Sequence, residues 1–181
     1  MTTFIHPFTF GDRTQSDLLG GKGANLAEMV KIGLPVPPGF TITTEACREF
    51  LVNEKIPEAL PAQLEAALAN LEKELGKEFG NPAKPLLVSV RSGAKFSMPG
   101  MMETVLNVGM TPEVAQAMGE QSGNPKFAWD CYRRFVDMYG RIVCDVPNEE
   151  FHKIAARVLA QFKAKSIADL DVDGLKALTE G

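Results

Sequence analysis

The 181-residue chain reads as an α+β protein in two parts: a mixed part over residues 1–110 and an all-helical part over residues 111–181. Three observations predict this. Short apolar runs, Phe40 to Thr43, Leu86 to Val90 and Thr104 to Val108, alternate with helical patterns in the first part. Beyond Gly109 the periodic apolar stretches all carry helical spacing. Between the two lies Thr111-Pro112-Glu113, a helix start made of a capping residue, a proline at the first helical position and an acid near the positive dipole end.

The elements follow in order. Gly20-Gly21-Lys22-Gly23 reads as a glycine-rich turn that leads into a short helix carrying Leu26, Met29 and Val30 on one side. Gly33 is a natural stop for that helix. Leu34-Pro35-Val36-Pro37-Pro38-Gly39 has too many prolines for helix and must be extended. Phe40 to Thr43 is a short strand, and Thr44 can cap a helix running to about Asn53. Leu60, Leu64, Ala67, Leu68, Leu71 and Leu75 mark an amphipathic helix. Leu86 to Val90, following Pro85, predicts a buried strand that ends at Arg91; Ser92 to Met102 predicts a loop and Thr104 to Val108 another strand. Phe127, Cys131, Phe135, Met138 and Ile142 line one face of a long helix, with Asp130–Arg134 and Asp137–Arg141 as i,i+4 pairs outside it. Phe151, Ile154, Val158 and Phe162 line the next.

Bulk properties exclude several classes. Hydrophobic residues make up 45% and charged residues 23%, the mix of a soluble domain with a core. A net charge of -4 gives no general attraction for nucleic acid or an anionic membrane, so an anionic ligand needs a local patch. The three cysteines, Cys47, Cys131 and Cys144, are odd in number and widely spaced; they suit small buried hydrophobes in a reducing compartment better than a disulfide framework or a zinc site. The start, Met1-Thr2-Thr3-Phe4, lacks a basic region followed by an apolar stretch, and no run approaches the roughly 18 apolar residues a bilayer span requires. The expected location is cytoplasmic.

Two clusters carry candidate chemistry. In the first, glycines let backbone N–H groups approach an oxyanion, a helix start adds partial positive charge, and Lys22 supplies a point charge suited to phosphate. It is neither a P-loop, because Gly23 stands where Ser or Thr is needed, nor a dinucleotide fingerprint, because Leu26 stands where the third glycine is needed. The same residues also suit a flexible turn with a solvated lysine. In the second, Ser89-Val90-Arg91-Ser92-Gly93-Ala94-Lys95 is followed by Phe96-Ser97-Met98-Pro99-Gly100-Met101-Met102-Glu103-Thr104. An arginine anchored at a strand end can grip phosphate oxygens bidentately, and Ser97 to Thr104 could close over a ligand. The same residues also suit a structural arginine paired with an acid, beside a surface loop with methionine gap-fillers.

Taken together, Gly20 to Met29, Pro35 to Thr44, Val88 to Ala94 and Ser97 to Met102 resemble the N-terminal part of the pyruvate phosphate dikinase family, and the likeness extends through Tyr132-Arg133-Arg134-Phe135. The related phosphoenolpyruvate synthases share the Gly-Lys turn and the Val-Arg-Ser core, but their loop after the arginine lacks the Ser-Met-Pro-Gly-Met-Met run. The resemblance implies an ATP-grasp-type first subdomain, a small mixed sheet with helices, ahead of the helical subdomain. It implies the magnesium-dependent, reversible conversion of ATP, phosphate and pyruvate to AMP, pyrophosphate and phosphoenolpyruvate. It further implies that Lys22 and Arg91 contact ATP phosphates, with Gly100, Met101, Met102, Glu103 and Thr104 flanking the phosphate chain. The family's magnesium-binding carboxylates, phosphohistidine domain and pyruvate-binding barrel find no counterpart here. His6 and His152 lack the family's Ser-His setting and read as structural or solvated. The chain therefore reads as a truncated fragment, inactive alone in the full reaction, whose partners are ATP and the remaining domains of a homo-oligomeric enzyme. The alternatives are a non-catalytic nucleotide-binding or regulatory module, and a related ATP-grasp phosphotransferase. Asp169 to Glu180 formally fits a calcium-loop pattern, but Leu170, Val172 and Lys176 stand where such loops differ, and Asp171 or Asp173 capping a helix fits better.

Overall fold

The computed structural model describes residues 2–93 and 104–181. It divides into two compact units: residues 2–76 with Ser92 and Gly93, and Lys77–Arg91 with residues 104–181.

In the first unit, strand β1 (Ile5–Pro7) pairs antiparallel with β2 (Phe40–Ile42), with Ile5 opposite Ile42, His6 opposite Thr41 and Pro7 opposite Phe40. Around this ribbon lie helices α1 (Ser16–Lys31), α2 (Thr44–Asn53) and α3 (Leu60–Leu75). Leu19, Ala24 and Ala27 form the buried stripe of α1. Small residues there let helix and strand approach closely. Gln63 of α3 ties down the N-terminal segment: its Oε1 accepts from the Phe4 amide at 2.7 Å and its Nε2 donates to the Thr2 carbonyl at 2.8 Å.

The second unit holds a parallel pair, β3 (Glu78–Phe79) with β4 (Pro85–Leu86), and an antiparallel pair, β5 (Val88–Arg91) with β6 (Thr104–Val108). Four helices follow: α4 (Pro112–Ser122), α5 (Pro125–Ile142), α6 (Asn148–Phe162) and α7 (Val172–Glu180). Their shared core is Met110, Val114, Ala115, Trp129, Val158, Leu170 and Leu175. Helix starts follow the expected chemistry. Thr111 Oγ1 accepts from the Val114 amide at 3.2 Å, and Asn124 Oδ1 accepts from Phe127 at 3.1 Å. On α5, Asp130 pairs with Arg134 at 2.7 Å and with Arg133 at 2.8 Å, while Asp137 pairs with Arg141 at 2.8 Å.

The expected combination of helices with small sheets is present; among the described residues the strands form three two-stranded sheets. Strands β3 to β6 fall in the same compact unit as the helices from Pro112 onward, and Leu87 and Met110 join the core built by Val114 and Trp129. Other expectations are corrected. Leu86 to Val90 is not one buried strand. Leu86 is buried beside β3, but Val90 is 54% exposed, because β5 pairs only with β6 among the described residues. Phe127, placed on the inner face of α5, is exposed, since Ala128 and Trp129 turn inward instead. Cys47 and Cys144 are exposed rather than buried, and Cys131 is half-buried. Thr43, not Thr44, is the N-terminal flanking residue of α2.

Candidate functional site

Lys22 sits in α1 just past a sharp break. Gly20 has φ 69° and ψ 166°, a conformation essentially restricted to glycine, and helical geometry resumes after it. The expected four-residue turn is therefore a one-residue break, with Gly21, Lys22 and Gly23 in the first turn of the resumed helix. Such a turn presents amide groups and partial positive charge. Lys22 is half-buried, and its Nζ donates to the Ser92 carbonyl at 3.0 Å. Gly23 is buried against β2. A Cβ there would lie 2.8 Å from Thr41 Cγ2, 2.9 Å from Thr41 Oγ1 and 3.2 Å from Leu19 Cβ.

Arg91 is the last residue of β5, opposite Thr104 at the start of β6. The structure thus brings these two candidates together as a cross-strand pair. Arg91 is exposed rather than held in a buried strand, for the reason given for Val90. Gly100, Met101, Met102 and Glu103 lie outside the described residues.

Sequence reasoning missed Thr44 and Arg48, whose side chains both reach the Asp17 carbonyl at the start of α1: Thr44 Oγ1 donates to it, and Arg48 Nη2 donates to it at 3.1 Å. Their i,i+4 spacing on α2 placed them on one helix face, which is the signal that could have paired them. Of the two histidines, His6 stacks on Phe10 with ring centroids 3.9 Å apart, and His152 is exposed on α6. Burial holds the His6 imidazole below its ordinary value, partly countered by the Glu45 carboxylate.

The acids of the calcium-like pattern are engaged locally. Asp169 Oδ2 accepts from the Ser166 amide at 2.9 Å, and Asp171 Oδ1 caps α7 by accepting from Gly174 at 2.9 Å. Among the described residues no group of three or more His, Cys, Asp or Glu side chains is placed to hold a metal ion. Among the same residues no helix is long and apolar enough to cross a membrane.

A family model described as pyruvate phosphate dikinase, AMP/ATP-binding domain, matches residues 16–60 and 56–123. The chain is 45% identical over 181 residues to the pyruvate, phosphate dikinase of Clostridium symbiosum, which takes in 99% of this chain and 21% of that protein. It is 45% identical over 177 residues to the pyruvate, phosphate dikinase of Entamoeba histolytica, covering 97% of this chain and 20% of that one. It is 48% identical over 186 residues to the chloroplastic pyruvate, phosphate dikinase of Flaveria pringlei, covering 99% of this chain and 19% of that one. The chain thus spans about a fifth of the length of the curated relatives it matches. Since the family match embraces both the Gly20 break with Lys22 and the Arg91 strand end, the chain belongs to the pyruvate phosphate dikinase AMP/ATP-binding domain family.

Proposed function

We propose that this chain is the first ATP-gripping part of a pyruvate phosphate dikinase, built as the opening subdomain of an ATP-grasp module. In this reading Lys22 and Arg91 contact ATP phosphates, and Gly100, Met101, Met102, Glu103 and Thr104 flank the phosphate chain. The whole polypeptide would convert ATP, phosphate and pyruvate to AMP, pyrophosphate and phosphoenolpyruvate in the cytoplasm.

The observation that carries the reading is the hydrogen bond from Lys22 Nζ to the Ser92 carbonyl at 3.0 Å. It ties the glycine-rich segment to Ser92, the first residue after the strand that ends at Arg91. Phosphoryl transfer asks little covalent chemistry of the protein, and catalysis comes from positioning and from neutralising charge on the transferred group. A lysine beside a helix start and an arginine with a planar fork supply those functions. Magnesium, where bound, would add charge neutralisation at the phosphates; the described residues contribute no carboxylate cluster to it.

The test separates the half-reactions. In the full polypeptide, Lys22→Ala and Arg91→Ala should each slow the ATP-dependent phosphorylation by roughly a hundredfold or more, the scale of losing one positioned charge at a transition state. Exchange between pyruvate and phosphoenolpyruvate should survive. Equal loss of both halves would refute the assignment. For the chain alone, nucleotide at a hundredfold above its Kd should stabilise the fold by ~2.7 kcal/mol, and no thermal shift at millimolar ATP with magnesium would mean that binding requires the rest of the polypeptide.

A further inference from the structure

From the two bonds at the Asp17 carbonyl we infer that Thr44 and Arg48 of α2 are positioning residues that brace the Gly20 break and thereby hold the Lys22 turn. This rests on the phosphate reading of that turn and adds to it the residues that keep its shape.

A regular helix through residue 20 would aim the Gly21 amide at the Asp17 carbonyl. A residue at φ 69° and ψ 166° between them does not hold that geometry. The carbonyl at this position accepts from two side chains of a different helix: the Thr44 hydroxyl and, at 3.1 Å, one Arg48 guanidinium nitrogen. The two donors are themselves linked, Arg48 Nη2 reaching Thr44 Oγ1 at 3.1 Å. One neutral and one charged donor on a single carbonyl outweigh one helical bond, because charge-assisted bonds are about twice as strong. Gly20 removes the steric barrier to the break, and the α2 pair makes the broken form the satisfied one. The consequence falls on the residues immediately downstream. Gly21, Lys22 and Gly23 start the resumed helix, so the direction of their amides and of the Lys22 stem depends on where the break is pinned.

The test uses amide hydrogen exchange and proton–nitrogen correlation spectra of the whole chain, comparing Thr44→Val, Arg48→Met, the double variant and Thr44→Ser. Loss of both donors should speed exchange at Gly21, Lys22 and Gly23 about tenfold, the effect of removing one carbonyl's side-chain bonds on a local opening equilibrium. Exchange in the later turns of α1 and in α4 to α7 should stay unchanged. Thr44→Ser keeps the hydroxyl and should restore wild-type exchange and wild-type shifts at those three amides. The affinity for ATP with magnesium should fall by the same factor in the double variant and return in Thr44→Ser. Unchanged exchange at Gly21 to Gly23 in the double variant would overturn the inference, as would uniform acceleration along α1 and α2, which marks a purely structural role. If the wild-type chain alone binds no ATP, the affinity comparison is made in the full polypeptide, where unimpaired ATP-dependent phosphorylation in Lys22→Ala would refute the phosphate reading, while the exchange pattern by itself decides whether the brace exists.

Discussion

Replacing Gly23 with alanine should destabilise the first unit through a clash with β2, although the same change favours helix. A new Cβ would lie 2.8 Å and 2.9 Å from the two branches of Thr41 and 3.2 Å from Leu19 Cβ. Contacts below 3.0 Å at a β-branched residue cannot be relieved by a rotamer swing, since both branches of Thr41 face the site. Overpacking of this kind costs roughly 1–3 kcal/mol. Alanine gains about 1 kcal/mol over glycine inside a helix. The net expectation is a loss of about 1 kcal/mol, or a urea midpoint lower by about 0.5 M at a slope of about 2 kcal/mol/M. The decisive measurement is the double-mutant cycle with Thr41→Ala, which removes both clashing atoms. Gly23→Ala in that background should show the helical gain without the clash, giving a coupling energy of about 2 kcal/mol. A coupling below about 0.5 kcal/mol would show that β2 yields at no cost, and the packing argument for Gly23 would fail.

Two further outcomes follow from single contacts. Asp12 Oδ2 accepts from Lys31 Nζ at 2.8 Å and Asp12 Oδ1 accepts from the Thr14 amide at 2.9 Å, which together hold the Asp12 carboxyl far below the ordinary carboxylate range. A depressed carboxylate contributes stability above its unfolded value, near 4, that is lost as the pH falls toward the folded value. Lys31→Met should therefore raise the Asp12 midpoint in a carbon-detected NMR titration, and high salt should do the same more weakly; a midpoint that does not move would remove Lys31 as the main cause. Asp171→Ala should cost about 1 kcal/mol by uncapping α7, seen as faster exchange at Gly174 and Leu175, whereas Asp171→Asn should retain most of the cap; an alanine variant as stable as wild type would show that the bond contributes nothing.

Much of the local structure was legible because it is set by neighbours in the chain. The helix over Leu60–Leu75, the Thr111-Pro112 start, the two α5 ion pairs and the Asp171 cap all depend on residues within four positions of one another. What the sequence did not show depends on partners far along the chain. Leu86 to Val90 has the composition of a buried strand, and nothing within it says that Leu86 will pair with Phe79 while Val90 pairs with Val105 and stays exposed. Phe127 shares the face of Cys131 and Phe135, which do pack on the α5 core, but in the first turn of the helix Ala128 and Trp129 take the buried positions and Phe127 is left exposed. The candidate site divides the same way. Lys22 was visible because its glycine neighbours are adjacent to it. Thr44 and Arg48 act 27 and 31 residues away from Asp17, and no local pattern announces that reach.

The glycine-rich segment itself changes meaning once each residue has a position. Read as a string, its three glycines share one explanation, namely close backbone approach to a phosphate. In the fold, Gly20 is required by its own backbone angles and Gly23 by the proximity of Thr41. Neither reason involves a ligand, so glycine at these two positions would persist in a chain that bound nothing. The phosphate hypothesis therefore rests on Lys22, which no packing requirement explains: its ammonium reaches a backbone carbonyl rather than an acid. A carbonyl is a weaker partner for an ammonium than a carboxylate or phosphate is. The Lys22–Ser92 bond is thus the kind of contact an incoming phosphate could replace with a net gain, which is what a phosphate-binding lysine requires of its resting state.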